Sequence, residues 1–276
     1  MAAFKYNFAI VSRIPNSYKD LHPEVNLEKA RENLEQYVEV LRQLGIDVLE
    51  LPADECHPEC VNVDDTAVVI NHTALMCNPV VHQRQGEVNL IRQTLRRELG
   101  MRIVELDDSK ILLEGGDVIF TGKEIFVGLS DQTNMFGAIA LATEFPEYPV
   151  STVQLPHDYR LKDLISVVGI DILAVGSSET AQNVLMQIEK HASYGYQIIK
   201  VNEDHAASAQ FINGTLVHLS DRQIPKSFGV FEYWIDFPRA SIDMEELLKG
   251  NSTLPSIALL IGKVKNPKKI VSTLVD

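Results

Sequence analysis

One unit recurs along this chain and limits what it can fold into: an apolar hairpin, then a helix, then a further strand. Its turn centres fall near residues 71, 122, 170 and 213, an interval of roughly 43 to 51 residues, as expected of a repeat architecture. The clearest copy begins Leu113-Glu114-Gly115-Gly116-Asp117-Val118-Ile119-Phe120-Thr121-Gly122. Two carboxylates flank a Gly-Gly pair there, and glycine suits either a positive φ or a close backbone approach. The apolar run, the Thr121-Gly122-Lys123 turn and a second run over 123–129 read as paired strands.

The other units follow the same plan. Residues 66–70 and 73–76 form a hairpin about Asn71-His72, with a helix over 84–99 stopped by Gly100 and a strand over 102–106. The 122-centred hairpin is followed by a helix over 133–145 and a strand over 150–155. Strands at 164–168 and 172–175 flank Gly169, before a helix over 179–191 and a strand over 196–201. Strands at 209–212 and 215–219 flank Asn213-Gly214, a strong hairpin-turn pair. Helical material then lies at 225–235 or 243–249.

The ends supply the remaining pieces. Residues 4–12 read as a strand, 26–44 carry a helical stripe of Leu27, Ala30, Leu34, Val38, Leu41 and Leu44, and 47–51 are a strand. The last strand, 256–261, has no hairpin partner downstream, so it is expected to pair with 4–12. Five ββαβ units about an axis make an α/β fold, a five-bladed pseudo-symmetric propeller, expected as a single domain over residues 1–276. A doubly wound nucleotide-binding sheet would need a glycine fingerprint after its first strand. Here that strand runs into Arg13-Ile14-Pro15.

Charge and composition narrow the partners. A formal net charge of −13 argues against a nucleic-acid or anionic-membrane surface. Three cysteines, Cys56, Cys60 and Cys77, form no secreted disulfide framework. The N-terminus lacks a charged segment followed by an apolar one, and no apolar run reaches membrane-spanning length. A soluble cytoplasmic protein is expected. The basic end, Lys263, Lys265, Lys268 and Lys269, reads as a solvated terminus. Phe228, Phe231, Tyr233, Trp234 and Phe237 read as helix packing or as an exposed contact surface for a protein partner.

Phosphate-loop, zinc-protease and EF-hand signatures are absent. Cys56-His57-Pro58-Glu59-Cys60 has cysteines too few and too close for a convincing metal site. No metal or cofactor is expected. The carboxylates are more informative. Glu59, Asp64 and Asp65 precede one hairpin, and Glu114 and Asp117 open the next. In a propeller such positions converge, and convergent carboxylates need a cationic partner. A guanidinium is planar and donates to carboxylates in pairs.

At these positions the chain resembles a known family. Glu50-Leu-Pro-Ala-Asp54, Val63-Asp64-Asp65-Thr66-Ala67-Val68, the 113–122 segment, Phe126-Val127-Gly128-Leu129-Ser130, Thr133-Asn134 and Gly176-Ser-Ser-Glu-Thr-Ala-Gln182 are similar to those of dimethylarginine dimethylaminohydrolases. The similarity is strong over about 45–190 and weaker at the ends. It implies a five-bladed α/β propeller that hydrolyses N-methylated arginines to citrulline and a methylamine, so relieving inhibition of nitric oxide synthesis. A cysteine thiolate attacks the guanidinium carbon, and a histidine oriented by an acid moves the protons.

Carried over by position, the resemblance makes Glu59, Asp64, Asp65 and Arg84 substrate-binding and makes Glu114 the acid that orients the histidine. Arg84 would meet the substrate carboxylate. Three positions depart from the pattern. Gln132 stands where a second carboxylate-binding arginine is expected, Arg160 where the histidine is expected, and Ser256 where the cysteine is expected. Arginine stays protonated and cannot act as the base, and serine is a weak nucleophile without one. His157, three residues before Arg160, and His218, in the fifth unit, are candidate substitutes for that histidine. The sequence therefore points to a family member without the family reaction, binding an arginine-like small molecule or a protein partner. The alternative is an active hydrolase of N-methylated arginine. Arg160 is further expected to sit beside Asp64, Asp65 and Glu114 as a built-in stand-in for substrate.

Overall fold

A computed structural model describes residues 4–262. It contains five three-stranded sheets, each an antiparallel pair extended by a parallel third strand. The first combines β1 (Phe8–Ser12), β2 (Asp47–Leu51) and the last strand of the chain. Between β1 and β2 lie the short α1 (Tyr18–Leu21) and the long α2 (Leu27–Gln43). The second sheet is β3 (Ala67–Ile70), β4 (Thr73–Met76) and β5 (Arg102–Val104), with α3 (Glu87–Arg97) between the latter two. The third is β6 (Val118–Phe120), β7 (Ile125–Leu129), α4 (Met135–Glu144) and β8 (Val150–Gln154). The fourth begins with the turn α5 (Leu161–Leu164) and comprises β9 (Ile165–Gly169), β10 (Ile172–Val175), α6 (Glu179–His191) and β11 (Gln197–Lys200). The fifth is β12 (Gln210–Ile212), β13 (Thr215–Leu219), α7 (Pro225–Trp234) and β14 (Arg239–Ile242). After α8 (Glu245–Lys249), β15 (Leu259–Ile261) returns to the first sheet.

The chain ends thus complete one blade between them. β15 runs antiparallel to β1, with Ile10 opposite Leu259, and β2 runs parallel to it. The middle strands β1 and β13 are buried at every residue, and the third strands are more exposed. Continuous apolar runs such as Phe-Ala-Ile-Val in β1 suit strands covered on both faces. The inner strands β3, β6, β9, β12 and β15 surround an axial cavity of about 150 Å³. On α2, Ala30, Leu34, Tyr37, Val38 and Leu41 face the core. Its start is fixed by Asn26, whose side chain accepts from the Glu28 and Lys29 amides, a standard N-cap contact.

The hairpin turns lie where the repeat places them. Left-handed backbone occurs at Asn71, Gly122, Asp171, Asn213 and Gly214, residue types that tolerate positive φ. The fourth turn centres on Ile170-Asp171, and Gly169 is instead the last residue of β9.

Several boundaries differ from the sequence expectation. The helix expected over 84–99 is a 3₁₀ turn, His82–Gly86, leading into α3. Residues 161–164 form a helical turn, so β9 starts at Ile165. The last strand is shorter than 256–261, because residues up to 257 form a bonded turn. Both 225–234 and 245–249 are helical, and β14 between them was not anticipated. The four lysines at 263, 265, 268 and 269 lie outside the described residues. Phe231 is buried, while Tyr233 and Trp234 are exposed. Among the described residues, no helix is long and apolar enough to cross a membrane.

Candidate functional site

Each inner strand is preceded by a tight turn, and these turns gather around the axis. The Asp64 N–H donates to the Ser256 carbonyl at 3.0 Å. The Leu161 N–H donates to Asp117 Oδ1 at 3.2 Å. Thr253 Oγ1 donates to Asp163 at 3.2 Å. The Gly-Gly pair permits this closeness. Neither glycine has a positive φ. A Cβ on Gly115 would lie 1.8 Å from the Asp64 carbonyl oxygen, and one on Gly116 would lie 2.9 Å from both Asp65 Oδ1 and Arg160 Cδ. The pair therefore serves close approach and not left-handed backbone.

Above the ring opens a cavity of about 1200 Å³, with Glu59, Asp65, Arg84, Glu114, Gln132 and Arg160 in its lining. Arg84, delivered by the 3₁₀ turn before α3, is the hub. Its Nη1 donates to Asp65 at 3.0 Å and Glu114 at 2.9 Å. Its Nη2 donates to Glu87 at 3.1 Å, and Glu59 lies 3.8 Å from its Nε. Burial pulls the guanidinium pKa down, but Asp65, Glu87 and Glu114 outweigh that and hold it above its ordinary value.

Arg160 sits at the same carboxylates from another blade. Its Nε donates to Asp163 at 2.9 Å and its Nη2 to the Asn251 carbonyl at 2.7 Å. Its Nη1 faces Asp65 at 3.6 Å, beyond a good hydrogen bond. Burial would lower its pKa, but Asp163 and Asp65 raise it. Burial raises the carboxyl pKa of two acids in this ring. Burial first, and then the Asp65 charge, push Glu114 up to about 8, against the pull of Arg84. Burial lifts Asp117 to about 6, partly offset by bonds from Ser130, Thr133 and Leu161.

Three residues stand apart from the sequence expectation. Asp64 does not join Asp65. The two neighbours point to opposite sides of their turn, and Asp64 accepts from Lys162 Nζ at 2.5 Å beside the axial cavity. Burial raises its pKa, and Lys162 pulls it back. Arg160 accordingly hydrogen-bonds Asp163 and faces Asp65 at 3.6 Å, but forms no ion pair with Asp64 or Glu114. Arg84 is bound up with acids rather than left open for a ligand carboxylate. Ser256 is buried below the cavity. Its Oγ accepts from the Thr253 N–H at 2.9 Å and lies 2.9 Å from both Asn62 Oδ1 and the Thr253 carbonyl, to either of which it can donate.

Glu87, Asp163 and Lys162 were not singled out in the sequence. Asp163 and Glu87 each lie three residues after an arginine, a spacing that brings side chains together on one helical face. Of the substitute histidines, His157 is exposed and bonds Asp131 at 2.7 Å, and His218 is buried against Phe228 and Phe231. His57 of the cysteine-flanked segment bonds Asp54 at 2.8 Å. Among the described residues, no group of three or more His, Cys, Asp or Glu is placed to hold a metal ion.

Comparison with known proteins bears on the fold and the family. The profile of the family described as N,N dimethylarginine dimethylhydrolase, eukaryotic, matches residues 7–223. DDAH2 of Bos taurus and DDAH2 of Homo sapiens are each 33% identical to the chain over 248 residues, covering 87% of this chain and 87% of the relative. The dimethylarginine dimethylaminohydrolase of Pseudomonas aeruginosa, solved as a cysteine-to-serine variant with citrulline, superposes with a TM-score of 0.80 at 21% identity. It covers 94% of this chain and 100% of its own. The N-terminal domain of the cyanobacterial arginine dihydrolase ArgZ, bound to substrate, gives 0.76 at 16% identity, covering 93% of this chain and 98% of its own.

Proposed function

The chain belongs to the dimethylarginine dimethylaminohydrolase family, and we propose that it has lost the family's hydrolysis and acts by holding an arginine-like cation in the acidic cavity. One observation carries this reading. The two positions at which the resemblance calls for imidazole and thiolate hold Arg160 and Ser256, and neither is set up for that chemistry. Arg160 is permanently charged and anchored by Asp163 and Asn251, so it cannot take or return a proton. Ser256 Oγ is engaged with Thr253 and Asn62, with no base among those partners to activate it. His205, which lines the far side of the cavity, bonds the Gln223 carbonyl at 2.8 Å. Cys60 bonds Ser12, and Cys77 is buried with its pKa raised well above normal by desolvation.

The acids that would grip a guanidinium remain. Asp65, Glu87 and Glu114 share Arg84, and two more carboxylates, Glu59 and Asp163, stand close by. Carboxylates in excess of cations in a desolvated site favour a further cation.

The alternative is hydrolysis of N-methylated arginine by water. Its supporting observation is Glu114, a carboxyl held near 8 and so able to exchange a proton near neutrality. Citrulline release from asymmetric dimethylarginine separates the two. Wild type is expected to give none above the blank, whereas the Ser256→Cys, Arg160→His, Gln132→Arg triple variant is expected to turn over. Wild-type turnover would select the alternative and end the binding-only reading.

A further inference from the structure

Resting on the cation-binding reading, the geometry points to a narrower ligand class: an alkylguanidinium that carries no carboxylate. The reason lies in what the cavity has unpaired. Three side-chain oxygens of its lining are buried with no partner among the described residues: Asp65 Oδ1, Gln132 Oε1 and Ser208 Oγ. Asp65 and Ser208 are 0% and 1% exposed. All three can accept hydrogen bonds, and a buried acceptor left unpaired is costly. A ligand rich in N–H groups meets that need, and guanidinium offers five donors in a plane.

The cationic side chains of the same cavity other than Arg222 are already committed. Arg84 donates to Asp65, Glu114 and Glu87. Arg160 donates to Asp163 and Asn251, and its remaining nitrogen faces Asp65. Lys249 is held by Glu246 at 2.8 Å and Glu245 at 3.3 Å. A ligand carboxylate entering beside Gln132 would meet an amide side chain and acids, while Arg84 and Arg160 are already taken up by carboxylates. Of the arginines and lysines in the lining, Arg222, which is exposed, is the one without an ion-pair partner among the described residues. An amino acid would therefore lose affinity through unpaired desolvation and like-charge repulsion.

Asp65 Oδ1 and the Arg160 stem crowd the same face of Gly116, each 2.9 Å from where a Cβ would sit. A guanidinium donating to that oxygen displaces the stem by a side-chain rotation, while Arg160 keeps Asp163 as its anchor. The site is thus built to exchange one guanidinium for another.

Isothermal titration of the full chain with butylguanidine, L-arginine and butylamine tests this. Butylguanidine is expected to bind at least tenfold more tightly than L-arginine, and butylamine more weakly than butylguanidine. Gln132→Arg supplies a donor in place of the unpaired amide oxygen and is expected to restore arginine binding. Arginine binding as tightly as butylguanidine in wild type, with loss of that affinity in Arg222→Ala, would overturn the carboxylate exclusion and leave the cation site standing. Arginine affinity unchanged by Gln132→Arg would overturn the assignment of missing donors as the cause. If none of the three cations binds, the cation-binding reading itself falls.

Discussion

Replacing Arg84 by methionine keeps much of the side chain's bulk and removes the charge that three buried acids share. Arg84, Asp65, Glu87 and Glu114 are all buried, so the loss strands carboxylates where water cannot compensate. Deleting one partner of a buried ion pair costs about 3–5 kcal/mol. The structure selects within that range. With its carboxyl held near 8, Glu114 is largely protonated at pH 7 and accepts from Arg84 as a neutral acid. The expected cost at pH 7 is therefore near the low end, about 3 kcal/mol, or a fall in melting temperature of roughly 6–12 °C. A raised carboxyl pKa favours folding below the unfolded value, and that advantage is lost as pH rises through the folded value. At pH 9, with Glu114 ionised, the gap between variant and wild type should widen towards about 5 kcal/mol. At pH 5 it should narrow, because Glu87, also raised by burial, takes up part of the missing charge as a proton. Thermal melts by circular dichroism at the three pH values measure this. A variant melting with wild type at pH 7, or a gap that fails to grow from pH 5 to pH 9, would refute Arg84 as the hub of the acid ring.

Three further substitutions probe the packing of the ring and of a helix away from it. Gly115→Ala would drive a Cβ into the Asp64 carbonyl and is expected to cost at least about 2 kcal/mol. Gly229→Ala, in α7 with open space around it, is expected to stabilise by about 1 kcal/mol; chemical denaturation of both variants reads the contrast. Ser256→Ala strands the Thr253 amide and is expected to lower stability by about 1–3 kcal/mol. It should leave butylguanidine affinity unchanged, because Ser256 lies beneath the cavity; denaturation and titration on the same preparation separate the two effects.

Much of the scaffold could be read from the sequence because its signals are local. Asn71, Gly122 and Asn213-Gly214 mark turns through their tolerance of left-handed backbone, and the apolar runs beside them have nowhere to go but paired strands. The recurrence of that unit forces neighbouring faces to cover one another, which closes the array and joins β15 to β1. Boundaries such as the start of β9 and the existence of β14 were not legible, because Leu161–Leu164 take their conformation from contact with the neighbouring blade and Arg239–Ile242 from pairing with β13. The site was legible as an inventory. Sequence alone identified Glu59, Asp64, Asp65, Glu114, Arg84, Arg160, Gln132 and Ser256, though not Glu87 or Asp163, and by the family resemblance it put Arg160 and Ser256 where imidazole and thiolate are expected. What only the tertiary structure decided is which charge meets which. Adjacent Asp64 and Asp65 part to Lys162 on one side and Arg84 on the other, and Arg84 gathers Asp65 and Glu114 from two different turns. Pairing of charges depends on distances of a few ångströms between residues far apart in the chain, set by how closely five turns pack around one axis, and no local signal in the sequence carries that information.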